Sequence, residues 1–131
     1  MSEREKLVLV AEDDDTLRFL MLKQLIKMGV QAHCVKNGAE AVERAKAVSY
    51  SAIFMDLKMP VMDGSEAIRQ IRAIEAEQHK PHAPIIVMTA YGDRERCAEL
   101  SINDFLFKPV LFDALKQSLN RCSITGDDSG V

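Results

Sequence analysis

Four short pieces of this 131-residue chain carry side chains that could do chemistry together: Glu12-Asp13, Asp56, Thr89 and Lys108. Each stands at the end of an apolar stretch. Glu12-Asp13 follow Leu7-Val8-Leu9-Val10-Ala11, and Asp56 closes Ile53-Phe54-Met55. Thr89 follows Ile85-Ile86-Val87-Met88, and Lys108 follows Phe105-Leu106-Phe107 and precedes Pro109. Gathered at one place, they make three carboxylates, a hydroxyl and an ammonium. Carboxylates that close repel one another and tend to hold protons. A divalent cation reverses that tendency. An all-oxygen set with room for waters suits Mg2+. A metal beside a carboxylate, a lysine and a hydroxyl is equipment for phosphoryl transfer, which needs positioning and neutralisation of the equatorial oxygens. The carboxylate can itself be the nucleophile and form an acyl phosphate. Singly, each residue has a plainer reading: an acid run caps a helix, Asp56 caps a turn, and Lys-Pro turns the chain. Only their joint arrival at one rim points to chemistry.

That arrival depends on the elements that carry them. The runs at Leu7, Ile53 and Ile85 are continuous and β-prone, the mark of strands covered on both faces. A more polar strand is expected at 31–35 and a short fifth one at 105–107. Helices are expected between them over 16–28, 39–48, 65–77, 93–100 and 111–122. Asp14 or Asp15 should cap the first, and Ser65 the third. Ala41, Val42, Ala45 and Val48 form one helical face, and Ile68, Ile71 and Ile74 another. Phe112, Leu115, Leu119 and Cys122 are the expected inner face of the last helix. Alternating strands and helices with short links give a parallel sheet covered on both sides. The expected fold is therefore α/β, a three-layer (βα)5 doubly wound, flavodoxin-like sheet in strand order 2-1-3-4-5. In such sheets function collects beyond the carboxyl ends of the strands. Pro60 and Asp63-Gly64 turn the chain after Asp56 into the next helix.

Composition narrows the classes. The length suits one domain with its own core. The net charge of −3 argues against a nucleic-acid partner, which would call for a basic surplus. No apolar run could cross a bilayer, and the first residues form no apolar signal, so a cytoplasmic protein without membrane contact is expected. Cys34, Cys97 and Cys122 fit no disulfide framework and read as small core residues in a reducing compartment. His79 and His82 lie in a polar loop with no acid or cysteine beside them, and read as solvated.

With these pieces in place, the sequence resembles a two-component response-regulator receiver domain, from Leu7 to Cys122. The resemblance rests on Glu12-Asp13, Met55-Asp56-Leu57-Lys58-Met59-Pro60-Val61-Met62-Asp63-Gly64, Thr89-Ala90 and Lys108-Pro109. The glutamate-first acid pair and the Met-Pro-x-Met-Asp-Gly wording resemble receivers of hybrid histidine kinases. A receiver is expected over 1–122, and the Gly/Ser/Asp-rich stretch 123–131 reads as a disordered tail. The resemblance implies that Asp56 accepts a phosphoryl group from the phosphohistidine of a sensor kinase or histidine phosphotransfer protein. Asp13 and Asp56 would ligate Mg2+ directly, Glu12 directly or through water, and the Lys58 carbonyl would add a ligand; Mn2+ could substitute. Lys108 would pair with the phosphoryl group, Thr89 would swing its hydroxyl onto it, and Phe105 would turn inward behind it. Lys58 and Tyr91 would overhang the group and tune dephosphorylation. The receiver would catalyse only its own phosphorylation and dephosphorylation. The Met1 start favours a free-standing receiver over one cut from a larger chain.

Three positions depart from the pattern. Phe105 stands where many relatives have tyrosine, the stretch between Thr89-Ala90 and Lys108-Pro109 is a few residues short, and Ser101 replaces a turn glycine. Competing readings are a flavodoxin-like cofactor binder, a Mg2+-dependent aspartyl phosphatase and a degenerate receiver acting as an interaction module. Four acids would repel a cofactor phosphate after the first strand. Lys58 stands where the phosphatase would carry a second acid. The full acid, Thr and Lys set opposes the third reading.

The first helix carries apolar residues on two faces. Leu17, Leu20, Met21, Leu25 and Met28, completed by Gln24, form the expected core face. Phe19, Leu22 and Ile26 fall nearly opposite, a stripe suited to a kinase, a phosphotransfer helix bundle or a homodimer.

Overall fold

The computed structural model describes residues 6–90, 95 and 97–122. Five strands alternate with helices: β1 (Leu7–Ala11), α1 (Asp15–Lys27), β2 (Gln31–Val35), α2 (Gly38–Ala47), β3 (Ala52–Asp56), α3 (Gly64–Glu77), β4 (Ile85–Thr89), β5 (Asp104–Phe107) and α4 (Phe112–Arg121). The strands are all parallel, in the order β2-β1-β3-β4-β5. The expected fold class and strand order are borne out. Among the described residues there are four α-helices, not five. Between β4 and β5 the described chain makes tight turns, with Ala98 N–H donating to the Glu95 carbonyl and Leu100 N–H to that of Cys97. The expected helix start at Asp93 and the tail 123–131 lie outside the described residues.

β3 and β4 are buried throughout and β1 almost so, because helices cover both faces. Leu9, Ile53, Met55 and Val87 point into the layer under α2 and α3. Val8, Val10, Phe54 and Met88 point into the layer under α1 and α4. This strict alternation sends each strand's side chains to opposite layers.

Caps set where the helices begin. Asp14 accepts the Leu17 amide at 2.9 Å, and Asp15 pairs with Arg18 inside the first turn. Asn37 caps α2 by accepting the Glu40 amide at 2.8 Å. α3 is capped by Asp63, which accepts the Glu66 amide at 3.0 Å, so Ser65 is not the cap. Asp63 also orients the first turn, and Gly64 is its first residue.

The apolar faces need two corrections. Leu20 is 49% exposed and Phe112 37% exposed, although both were expected in the core. Met21 and Leu25 alone of α1 are fully buried, since a helix lying on a sheet buries a narrow arc. In α4 that arc is Leu115, Ser118 and Leu119, with Cys122 half-buried. Cys97 is buried and Cys34 half-buried; His79 and His82 are exposed.

Two glycines are set by close approach. A Cβ on Gly38 would stand 2.4 Å from the Met62 carbonyl oxygen, and one on Gly64 would stand 2.1 Å from that of Asp56. Gly64 N–H also donates to the Leu57 carbonyl at 2.9 Å, drawing the start of α3 onto the end of β3. Gly64→Ala should therefore cost about 1–3 kcal/mol of stability, the range for forcing an extra methyl into a packed site. Urea unfolding measures it; an unchanged midpoint would show that this junction yields freely.

Candidate functional site

The five side chains singled out by type stand on four strand ends of one rim. β1 and β3 are neighbours, so Glu12-Asp13 and Asp56 come together; β4 and β5 follow on the other side with Thr89 and Lys108. Ligand oxygens of Glu12, Asp13 and Asp56 all lie within 4.8 Å of one another. Glu12 and Asp56 are buried and Asp13 is exposed. The Lys108 ammonium lies 3.2 Å from Glu12 Oε1 and 3.2 Å from Asp56 Oδ2.

Glu12 and Asp56 are both held by backbone amides. Glu12 N–H donates to the Val35 carbonyl at 3.1 Å, tying the β1 end to β2. Glu12 Oε2 accepts the Asp14 amide at 3.0 Å, and the Glu12 carbonyl accepts from the Arg18 guanidinium at 2.8 Å. Asp56 Oδ1 accepts the Lys58 amide at 3.4 Å. Lys108 N–H donates to the Thr89 carbonyl at 3.0 Å, which joins the ends of β4 and β5. The Thr89 side chain is buried, and its hydroxyl donates to the Ala90 carbonyl at 3.2 Å.

Charge is unbalanced here. The Lys108 ammonium pairs with Glu12 and Asp56, and a third carboxylate, Asp13, stands beside them. Burial, then the Glu12 carboxylate, push the Asp56 carboxyl up to about 6, against the pull of Lys108 and the Lys58 amide. Burial would lower the Lys108 ammonium, but Asp56 and Glu12 outweigh it and hold Lys108 above its ordinary value. The donors are hard oxygens, and the cluster has the excess negative charge that a divalent cation neutralises. The residues present therefore fit Mg2+ and offer nothing to a thiophilic metal.

The remaining sequence candidates are spread around this rim. Phe105 is half-buried against the α2 and α3 layer, its ring 5.5 Å from that of Phe107. Tyr91 lies outside the described residues. Lys58 follows the Asp56 turn, near Val61, whose positive φ of 68° marks a tight bend. On α1, Phe19 and Ile26 are 57% and 61% exposed, while Leu22 is only half-exposed, so it does not complete an open stripe. Leu20, on the other flank of α1, is also exposed, as are Leu111 and Phe112 at the start of α4. Lys23 lies 5.6 Å over the Phe19 ring and Lys27 lies 5.8 Å over that of Phe112.

Sequence reading missed two features. The contact of Gly64 with Asp56 was hidden because Asp63-Gly64 reads as an ordinary turn. The buried Glu75, paired with Arg72 at 2.9 Å, stands outside the Ile68, Ile71 and Ile74 face and was not singled out. Only the lack of any other role for an acid beside Ile71 and Ile74 could have signalled it.

The raised Asp56 acid has a consequence for stability. Its pKa is about 6 in the fold and 3.8 in an ordinary setting, so the fold favours the protonated form. The stability this group contributes is full below 3.8 and is lost as pH rises through 6. For metal-free protein the loss is about 2–3 kcal/mol. Asp56→Asn should remove that slope and be the more stable protein at pH 7.5 in chelator. Parallel pH profiles of urea midpoints for the two proteins would contradict the assignment.

Comparison with known proteins agrees with this geometry. The model of the response regulator receiver domain family matches residues 8–120. The chain is 37% identical over 119 residues to the hybrid signal transduction protein dokA of Dictyostelium discoideum, covering 91% of this chain and 7% of that protein. It is 39% identical over 113 residues to the peroxide stress-activated histidine kinase mak2 of Schizosaccharomyces pombe, covering 81% and 5%. The chain thus spans a small part of the length of these relatives. The receiver domain of the sensor histidine kinase PA1611 from Pseudomonas aeruginosa, solved with magnesium in its active-site cleft, superposes with a TM-score of 0.81. It is 36% identical, and the match covers 90% of this chain and 97% of that one. The Saccharomyces cerevisiae Ssk1 receiver, solved in complex with the phosphotransfer protein Ypd1, gives 0.82 at 30% identity, covering 88% and 87%. Together with the rim of Glu12, Asp13, Asp56, Thr89 and Lys108, these matches place the chain in the response regulator receiver domain family.

Proposed function

We propose that this chain is the phosphoacceptor of a phosphorelay, with Asp56 as the residue phosphorylated. One observation carries the proposal: the Lys108 ammonium sits 3.2 Å from both Asp56 and Glu12 in a cluster that also holds Asp13. An Asp56 carboxylate oxygen attacks the phosphorus of a phosphohistidine. The P–N bond breaks, its electron pair stays on the ring nitrogen, an acyl phosphate forms, and the imidazole leaves neutral because its other ring nitrogen already carries a proton. Asp13, Asp56, the Lys58 carbonyl and Glu12, directly or through water, would hold Mg2+, which would neutralise the phosphoryl oxygens; Mn2+ could take its place. Lys108 keeps its proton and turns from the carboxylates to the added oxygens. Thr89 gives its hydroxyl to the same group, Phe105 follows inward, and Lys58 and Tyr91 obstruct the water that would hydrolyse it. The only reactions catalysed are the chain's own phosphorylation and dephosphorylation.

The donor is a sensor histidine kinase or a histidine phosphotransfer protein. The resemblance to hybrid kinases and to a receiver that binds Ypd1 supports this. No helix among the described residues is long and apolar enough to cross a membrane, and we place the chain in the cytoplasm. Its acidic balance argues against nucleic acid as a partner. The exposed Phe19 and Ile26 of α1, the helix that starts beside the acid rim, form the surface we assign to the donor bundle, with a homodimer as the competing occupant.

A small phosphodonor such as acetyl phosphate with Mg2+ should add one phosphoryl group to the intact mass. Asp56→Asn should abolish the gain and chelator should suppress it; labelling of the Asn variant at the parental rate would move the acceptor elsewhere. Asp13→Ala should weaken Mg2+ binding at least tenfold, read by titration of the free protein. Phe19→Ser with Ile26→Ser should slow transfer from a phosphohistidine protein several-fold and spare acetyl phosphate labelling. Normal transfer by that double variant would remove α1 from the docking face.

A further inference from the structure

β5 is the shortest strand of the sheet and lies at its edge. It carries both Phe105 and, at its exit, Lys108. On the α4 side it is pinned by Asp104, whose Oδ2 accepts from Ser118 Oγ at 3.0 Å and from Arg121 Nε at 2.9 Å. On the opposite side only tight turns among the described residues lie between β4 and β5. There Arg72 of α3 reaches across. Arg72 Nε donates to the Ser101 carbonyl at 3.0 Å, and its Nη2 to Asn103 Oδ1 at 3.4 Å. Its Nη1 donates to Glu75 at 2.9 Å and to the Ala83 carbonyl at 2.8 Å.

The partners lie at the entrances of two strands. Ala83 leads into β4, and its N–H donates to Glu75 Oε2 at 2.8 Å. Asn103 leads into β5, and it exchanges bonds with Ile85, the first residue of β4: Asn103 N–H to the Ile85 carbonyl at 2.8 Å, Ile85 N–H to Asn103 Oδ1 at 3.0 Å. One guanidinium fork thus spans the entry of β4 and the entry of β5. Its side chain is 12% exposed and that of Glu75 is 6% exposed, so the ion pair is shielded from water. A planar fork is the group able to serve four acceptors at fixed angles; an ammonium is not.

We infer that Arg72 is a positioning residue, which holds β5 in register against β4 from the end of the sheet opposite Asp56. Phe105 and Lys108 then follow at fixed rise along a short strand. Lys108 stays 3.2 Å from Asp56 because the strand before it cannot slip. Glu75 orients the fork and keeps its charge compensated.

Arg72→Lys keeps that charge and loses the fork, so Glu75 is not left buried alone. Amide hydrogen exchange in the metal-free protein should show Leu106 and Phe107 at least tenfold faster than in the parent, with Leu9 and Val10 of β1 changed less than threefold. A general loss of stability would quicken both strands alike, and that result would overturn the inference, as would unchanged β5 exchange. Acetyl phosphate labelling of Asp56 should slow several-fold in the same variant, and this arm rests on the proposed phosphoacceptor role. If the parent itself fails to label, that role falls while the exchange result stands. If the parent labels and the variant labels equally fast, the link from Arg72 to Lys108 is lost. As a second variant, Arg72→Met with Glu75→Gln removes the charge pair and must reproduce the selective effect on β5.

Discussion

Two buried carboxylates share one ammonium, and much of the molecule is arranged to tolerate it. Glu12 and Asp56 are buried at adjacent strand ends, and Lys108 lies 3.2 Å from each. An isolated buried charge is expensive, and a second of the same sign beside it more so. The sheet must therefore be stiff enough to keep the three groups together without metal. It is so because β1, β3 and β4 are apolar on both faces and packed between two helical layers. A sheet with one wet face would let solvent into the rim and relax the pressure on Asp56. The site is thus a product of the double-sided core, not an addition to it.

The four acids after β1 show how finely this is divided. Glu12 is buried and bonded to Lys108, and Asp13 is exposed beside it. Asp14 caps α1, and Asp15 pairs with Arg18. Arg18 also reaches back to the Glu12 carbonyl at 2.8 Å. Two of the four acids therefore serve the helix and two serve the rim. The helix start positions the carboxylates, since Glu12 Oε2 accepts the amide of the capping residue itself.

Much of this was legible in the sequence. Continuous apolar runs ending in acid, threonine or lysine gave β1, β3, β4 and β5 with their functional ends, because buried parallel strands tolerate little else. Faces were read less well. Leu20 and Phe112 are apolar yet exposed, since α1 and α4 meet the sheet along narrow arcs and leave their neighbours outward. Ser65 reads as the cap of α3, but Asp63, two residues earlier, takes the role. Gly64 is legible as a turn residue only; its contact with the Asp56 carbonyl depends on how α3 docks, which no local pattern encodes. Arg72 and Glu75 were invisible for a different reason. An oppositely charged pair at i,i+3 on a helix reads as solvated, and the strands it serves lie eight or more residues away.

The same geometry constrains any switch built on Thr89. Its backbone carbonyl is committed to the Lys108 amide at 3.0 Å, while among the described residues its hydroxyl bonds to the neighbouring Ala90 carbonyl at 3.2 Å. The hydroxyl can therefore turn by side-chain rotation without breaking the β4 to β5 link. Moving a two-state equilibrium from mostly off to mostly on needs about 5.5 kcal/mol of differential contact. One redirected hydroxyl contributes about 1–3 kcal/mol even when it meets a charged acceptor. The rest must come from Lys108 exchanging carboxylates for phosphoryl oxygens, and from the aromatic at Phe105, which has no hydroxyl of its own to add. A switch of this kind in the proposed phosphoacceptor is weighted toward Lys108, and so toward whatever holds β5 in place.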